Sequence, residues 1–407
     1  MKSSFIYFVE DTETSFVLND LRQIAKKYDR VILLSAESID NKNELPENTE
    51  VFENFINWKQ LNIKQVFLSN FFSILLIYFK ECLASRKLLS FKESIALLCS
   101  NFYKASECQR ALSELKDLDI KTTTFYAFWF YDCIYLARLK QLGIASKTYA
   151  RAHGGDLFEE RSSLYGKVLF RHYQLGLIDN VFSVSETGTN YLKNKYPAYS
   201  GKILTLYLGS FHHDFSNTIL DDNFTLVSCA KIRDIKRIHL IAEALKYINF
   251  NCTWYHIGDE NLTAKNDEGI PLYLSAKESL KSKSNITFKP IGSLSNTEVF
   301  DFYRSTPINV FISTSASEGI PVSMMEAISF GIPVISTDVG GCHEIVNESS
   351  GMLIPSESNP EEIALAINEF RNSDKNGDIF REKTKLFWLN KFDAAINYNH
   401  FFNLLRN

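Results

Sequence analysis

The chain has 407 residues, 45% of them hydrophobic, and a formal net charge of −4. That length exceeds what one core comfortably holds, so two domains are expected, and the hydrophobic content excludes an intrinsically disordered chain. The slight negative charge leaves no basic footprint and excludes an obligatory nucleic-acid partner.

Phe5 to Val9 and Arg30 to Ser35 read as buried strands, with a helical pattern of Val17, Leu21, Ile24 and Ala25 between them. They open a doubly wound α/β domain. The N-terminus, MKSSFIYFVEDTETS, carries charges too early for a signal peptide. After the first strand comes Glu10-Asp11-Thr12-Glu13-Thr14-Ser15-Phe16-Val17. Its Thr and Asp residues suit a helix-start cap, and Glu13 offers a carboxylate. Residues 71–118 read as helices in which Lys80, Arg86, Lys87, Lys92 and Lys104 alternate with Phe and Leu. Two readings stand: a solvated outer face of helices packed on the sheet, or a basic amphipathic surface resting on an anionic bilayer. Glu81, Glu93 and Glu107 dilute the basic signal. The longest apolar stretch, Val66 to Phe79, is too short to span a membrane.

Thr122 to Phe130 and Lys147 to Ala150 are further strands. The second runs into Arg151-Ala152-His153-Gly154-Gly155-Asp156-Leu157. His153 falls at the carboxyl end of a strand, where ligands of such sheets bind, and the glycine pair allows a sharp turn beside it. Asp156 is placed to orient the imidazole. Asp179 to Ser185 and Lys202 to Leu208 complete the strands of this half, and the polar stretch His212–Asn223 marks the boundary. A first domain of 1–217 results.

In the second half, Phe224 to Ser228 is a strand. The loop Cys229-Ala230-Lys231-Ile232-Arg233-Asp234-Ile235-Lys236-Arg237 then leads to a helix from Ile238. A basic cluster at a helix start is either solvated surface or, at a strand's carboxyl end, a place for an anionic group. Thr253 to Asp259 and Asn285 to Gly292 are strands ending in glycine turns at Gly258 and Gly292. Phe311 to Gly341 reads FISTSASEGIPVSMMEAISFGIPVISTDVGG, a strand–helix–strand unit. Glu318 precedes the helix and Glu326 lies eight positions later (326 − 318 = 8) within it, a rise of about 12 Å. Gly319 permits close approach of a ligand to the backbone, Ile320 and Val322 flank it, and Pro321 suits the first helical position. Taken singly, Glu326 reads as a surface residue and Glu318 as a capping acid. A second domain spans 218–385, and the helical, aromatic-rich tail occupies 386–407.

Together, Ser317-Glu318-Gly319 with Pro321, Glu326-Ala327, Gly331-Ile332-Pro333-Val334, Asp338 and Gly340-Gly341 resemble the E-x7-E region of family 4 glycosyltransferases. R-A-H-G-G-D-L and, more loosely, T-E-T-S-F-V resemble the family's bacterial polysaccharide- and lipopolysaccharide-building branch. The resemblance implies a GT-B fold: two Rossmann-like domains facing a cleft, with a C-terminal helix crossing back onto the first. It implies retaining transfer of a sugar from a UDP- or GDP-linked donor to a glycan or lipid-linked glycan, without cofactor or metal. It places Glu318 by the donor sugar, Glu326 on the ribose, Lys231 and Lys236 on the diphosphate, and His153 by the reacting sugar. Gly319, Ile320, Pro321, Val322, Gly258 and Gly292 would line the donor, with Glu13 and Asp156 on the acceptor side. The chain departs from the family's G-R-L-x-x-x-K pattern at Ala230 and Lys231; a lysine lacks the bidentate arginine fork, for which Arg233 or Arg237 would compensate. A cytoplasmic location follows, with peripheral contact at the inner membrane face. A GT-B nucleotide-sugar 2-epimerase and a non-catalytic GT-B partner subunit are the alternatives. The seven scattered cysteines, none in a C-x-x-C pair, are expected to be reduced core residues.

Overall fold

Strands buried on both faces need helices on both sides, and parallel sheets supply that arrangement. Ser4–Val9 is buried at every position, and Arg30–Ser35 at all but the first. The structure, a computed structural model, describes residues 3–9, 15–39, 42–115, 117–160, 170–211, 223–258 and 269–406. The chain divides into two compact units, Met1–Leu206 and Tyr207–Asn407. The boundary expected near residue 217 lies outside the described residues.

In the first unit the strands are β1 (Ser4–Val9), β2 (Arg30–Ser35), β3 (Thr49–Phe52), β4 (Thr124–Ala127), β5 (Lys147–Ala152), β6 (Asn180–Ser183) and β7 (Ile203–Thr205). They form one parallel sheet in the order β3-β2-β1-β4-β5-β6-β7. Its helices are α1 (Ser15–Ala25), α2 (Ile63–Ser69), α3 (Phe71–Ser85), α4 (Phe91–Ser113), α5 (Cys133–Gln141), α6 (Gly154–Leu157), α7 (Arg171–Leu177) and α8 (Glu186–Lys195). The second unit repeats the plan with β8 (Phe224–Cys229), β9 (Cys252–Ile257), β10 (Ile286–Gly292), β11 (Val310–Ser313), β12 (Val334–Thr337) and β13 (Gly351–Ile354). Their order is β10-β9-β8-β11-β12-β13, again parallel. Its helices are α9 (Ile238–Leu245), α10 (Gly269–Leu280), α11 (Asn296–Ser305), α12 (Val322–Ser329), α13 (Cys342–Ile345), α14 (Pro360–Arg371), α15 (Asp378–Lys391) and α16 (Ala394–Arg406).

Each sheet grows outward in one direction for three strands and then in the other. The switch points fall between β1 and β4 and between β8 and β11. Loops leaving neighbouring strands on opposite courses open a crevice at their carboxyl ends. The tail Ala394–Arg406 belongs to the second compact unit. There Ser210 donates its N–H to Phe392 O (2.9 Å) and its hydroxyl to Met325 O (3.1 Å), and it accepts from the Trp388 indole (2.8 Å). That one serine joins the start of the unit, α12 and α15. All seven cysteines are free.

Buried charges tie the first unit together. Arg151, at the end of β5, lies 3.6 Å from Asp20 of α1, and both are essentially excluded from solvent. Tyr7 donates its hydroxyl to the other Asp20 oxygen at 3.0 Å. Glu81 of α3 is buried and accepts the N–H groups of His172 and Tyr173 at 3.0 and 2.9 Å, capping α7 from outside. Burial pushes its carboxyl above the usual range. Two members of the expected charged surface are therefore internal. Glu81 caps a helix, and Lys104 is buried with its ammonium over the rings of Trp58 and Tyr135. Neither position could be told from the linear charge pattern.

Removing one partner of a buried pair strands the other. Asp20→Ala is expected to lower unfolding free energy by about 3–5 kcal/mol, read as a shift of the urea midpoint. Retention of the wild-type midpoint would show that the pair does not hold α1 to β5.

Candidate active site

The second unit gathers polar side chains at its switch point. After β8 the chain runs through Lys231, exposed, to a short turn at Asp234–Lys236. Arg237 follows in the left-handed region (φ +46°), unusual for a residue with a side chain. Its guanidinium explains the position. Nε donates to Thr314 O (2.8 Å), and Nη2 donates to Ser315 O (3.1 Å) and Ser356 O (2.6 Å). In return the Thr314 hydroxyl donates to Arg237 O at 2.9 Å, and Ala316 N donates to Ile235 O at 2.8 Å. The loops after β8 and β11 are thereby stitched side by side. Arg233 or Arg237 was expected to compensate for the missing arginine fork; Nε and Nη2 of Arg237 go to backbone carbonyls, Nη1 lies 4.0 Å from the Glu357 carboxylate, and the side chain acts as the stitch.

With the loops registered, Lys236 and Glu318 meet at 2.6 Å. Both are largely sheltered, their side chains 28% and 11% exposed. Beyond Glu318, Gly319 O accepts from Gly341 N at 2.8 Å, and a Cβ on Gly341 would come within 2.5 Å of that oxygen. This close approach requires glycine at 341. Pro321 stands at the N-cap of α12, not at the first helical position, and no side chain caps the helix. Ile320 is buried and Val322 half-buried. Gly258 donates its N–H to Gly292 O at 2.9 Å, which joins the ends of β9 and β10. A Cβ on Gly258 would fall 2.0 Å from Ala230 O.

Glu326 is not a surface residue. It is half-buried on α12 and accepts a hydrogen bond from Asn296 Nδ2 of α11 at 2.6 Å. Burial raises its carboxyl to about 7, only partly opposed by that bond. The Cys229 thiol is pushed up to about 12, by burial first and by the Glu326 charge second. The buried Tyr303 phenol is raised for the same reasons, with Cys229 as a further neighbour. Cys229, Asn296 and Tyr303 were not singled out from the sequence. They carry no shared spacing, and only the capping sequence Ser295-x-x-Glu298 marked that helix start.

In the first unit, His153 follows β5 as the N-cap of α6. Its Nε2 lies 3.1 Å from Phe128 O, and the rings of Phe128 and Trp129 are 4.5 and 4.6 Å from its centroid. A carbonyl only accepts, so Nε2 carries the proton and Nδ1 is the acceptor. Burial, with the Arg151 charge behind it, lowers the imidazole to about 3, so it is neutral near pH 7. Asp156 does not orient this ring. Its carboxylate takes the N–H of His153 (2.7 Å) and of Phe130 (2.6 Å), and burial raises it to about 7. Phe128 and the flanking rings set the imidazole instead. Glu13 lies outside the described residues. Among the described residues no group of three or more His, Cys, Asp or Glu side chains is arranged to hold a metal.

Residues 210–387, which carry every side chain described above at the second unit's switch point, match the family described as glycosyl transferases group 1. That stretch, most of the second unit, is similar to group 1 glycosyl transferases. An uncharacterized glycosyltransferase of Methanocaldococcus jannaschii is 27% identical over 237 residues, 58% of this chain and 61% of that protein. The O-antigen biosynthesis glycosyltransferase WbnH of Escherichia coli is 34% identical over 79 residues, 19% of this chain and 22% of that protein. The chain thus spans less than two thirds of either relative's length. Anabaena HepE, solved with UDP and glucose, superposes with a TM-score of 0.71 over 100% of both chains at 14% identity. The chain has the GT-B fold, as the E-x7-E pattern implied.

The raised carboxyl of Glu326 has a consequence for stability. In the unfolded chain a Glu ionises near about 4.3. Between that pH and about 7 the folded protein binds the extra proton, so stability is highest below the lower value and falls as pH rises to the upper. Glu326→Gln removes that loss. Its unfolding free energy from urea titration is expected to exceed wild type at pH 8 by about 1–3 kcal/mol, with the gap closing toward pH 4.5. A pH-independent difference would show that the carboxyl titrates normally.

Proposed function

We propose that the protein is a retaining glycosyltransferase that moves a sugar from a nucleotide-sugar to a hydroxyl of a glycan or lipid-linked glycan. One observation supports this above the others: the Lys236–Glu318 pair, with the half-buried Glu326 on the helix that follows, at the β8/β11 switch point of a unit similar to group 1 glycosyl transferases. Strand ends of this kind bind nucleotides in open parallel sheets. Glu326, held by Asn296, suits the two hydroxyls of a ribose, which donate to its ionised form. Glu318 suits a sugar hydroxyl in the same way. Lys236 and the exposed Lys231 supply positive charge where a diphosphate leaves, and the uncapped start of α12 adds its dipole.

In the transfer, the bond from the anomeric carbon to the phosphate oxygen breaks and a bond to the acceptor oxygen forms on the same face. The acceptor proton passes to the departing phosphate oxygen, so no side-chain base is assigned and no metal ion is invoked. His153 is neutral at working pH and serves as a hydrogen-bond partner, not as the base. HepE was solved with UDP, which makes UDP-sugars the first donors to test. The O-antigen biosynthesis relative points to bacterial surface polysaccharide as the product class.

A panel of UDP- and GDP-sugars, with acceptor present or absent, tests the proposal through released nucleoside diphosphate. Acceptor-dependent release supports transfer, whereas epimerised donor without acceptor overturns it. Lys236→Ala is expected to lower kcat/KM by about a hundredfold or more, because leaving-group charge grows in the transition state. Glu326→Gln is expected to raise donor KM by roughly tenfold, a charged hydrogen bond being worth about 1.5–3 kcal/mol. Wild-type kinetics in both variants would place the donor elsewhere.

A further inference from the structure

Helix α3 has two unlike faces. Inward, Ile74 and Ile77 pack with Leu98, Cys99 and Phe102 of α4 and with Phe170. Outward, Phe72, Leu76, Phe79 and Leu83 are 86%, 53%, 56% and 78% exposed. Their spacing of four, three and four residues sets them in one stripe along the helix. Leu68 of α2 and Leu88 beyond the helix, 63% and 93% exposed, extend the apolar surface at its two ends. Scattered exposed leucines need no explanation, but an unbroken stripe of large side chains does.

Charge indicates what covers it. Residues 63–93 contain Lys64, Lys80, Arg86, Lys87 and Lys92 against two acids, Glu81 and Glu93, within a chain of net charge −4. Glu81 is turned inward onto the backbone of α7, which leaves Glu93 as the one exposed acid of that stretch. Lys80, Arg86, Lys87 and Lys92 are all exposed beside the stripe. A second copy docking through this face would bring two cationic patches together, whereas an anionic surface complements one. The inner face of α3 is committed to the core through Ile74, Ile77 and Glu81. The helix can therefore lie on a bilayer but cannot cross one without dismantling the unit. Among the described residues no single helix is long and apolar enough to span a membrane; α2 and α3 together have the length and composition of a span, but they meet at 88°.

We propose that the outward stripe Phe72–Leu76–Phe79–Leu83, flanked by Lys80, Arg86, Lys87 and Lys92, docks the protein on an anionic phospholipid surface with α3 lying in the interface plane. Apolar side chains enter the headgroup boundary while the cations pair with lipid phosphates. The surface includes no residue assigned to the transfer chemistry, and its test reads binding rather than turnover. The full chain would be sedimented with phosphatidylcholine vesicles and with vesicles that also contain phosphatidylglycerol. Wild type is expected to pellet with the second and much less with the first, and salt is expected to release part of it. Arg86→Glu with Lys87→Glu and Lys92→Glu should lower partition about a hundredfold, each basic residue near the surface being worth roughly fivefold. Phe72→Ser with Phe79→Ser and Leu83→Ser should abolish binding even at low salt, with the circular dichroism of wild type. Equal recovery in the supernatant with both vesicle types overturns the proposal. So does a solution dimer that the serine variant dissolves in the absence of vesicle binding, which would assign the stripe to a second copy.

Discussion

The polar cluster at the β8/β11 switch point depends on where one guanidinium goes. Arg237 gives its donors to the carbonyls of Thr314, Ser315 and Ser356, three oxygens from loops far apart in sequence. A left-handed backbone costs a non-glycine residue about 1–2 kcal/mol. Three charge-assisted hydrogen bonds, each of the stronger kind, offset that cost. The result is a fixed separation between the strand ends at the β8/β11 switch point. Lys236 is the residue just before Arg237 and Glu318 lies three past Ser315, so their ion pair follows from the stitch. Moving either loop by one residue would break it.

The same economy operates in the first unit, where buried charges serve architecture rather than chemistry. Arg151 and Asp20 join β5 to α1, Glu81 caps α7 from α3, and Asp156 collects the backbone N–H groups of His153 and Phe130. Each side chain satisfies a group that would otherwise be buried unpaired, at a cost of about 1–3 kcal/mol apiece. His153 emerges from this framework with its ring already oriented, by one carbonyl and two aromatic faces, and with its proton settled on Nε2. A group so placed offers a hydrogen bond of fixed direction and does not change charge near neutral pH.

Much of the site was legible before any coordinates. Glu318, Gly319 and Glu326 lie within one strand–helix–strand unit, so local spacing placed them at a strand's carboxyl end and along one helix. The partners of these residues were not legible. Asn296 reaches Glu326 across thirty positions (326 − 296 = 30), from a helix whose sequence announces only its own cap. Arg237 and Lys236 are adjacent, equally basic, and sit in the same loop, yet one binds backbone and the other faces Glu318. Nothing in a linear charge pattern separates them, because the difference is the direction in which a left-handed residue throws its side chain. Asp156 misled for a similar reason. Its spacing from His153 suits an orienting carboxylate, but the same spacing suits a helix cap, and the buried backbone N–H groups claimed it.

The sequence by itself determined the two doubly wound halves. Apolar runs of strand length alternating with helical periodicity have few other ways to bury both faces of a sheet. It also determined which strand ends carry the carboxylates and lysines, since those are local properties. Only the tertiary structure decided which charges are internal. Glu81 and Lys104 lie among exposed residues of the same helices, and burial depends on neighbours that come from α7, Trp58 and Tyr135. It likewise decided that the stripe of α3 faces outward. An amphipathic pattern fixes that a helix has two faces, and only the packing of α4 and α7 against one of them leaves the other uncovered.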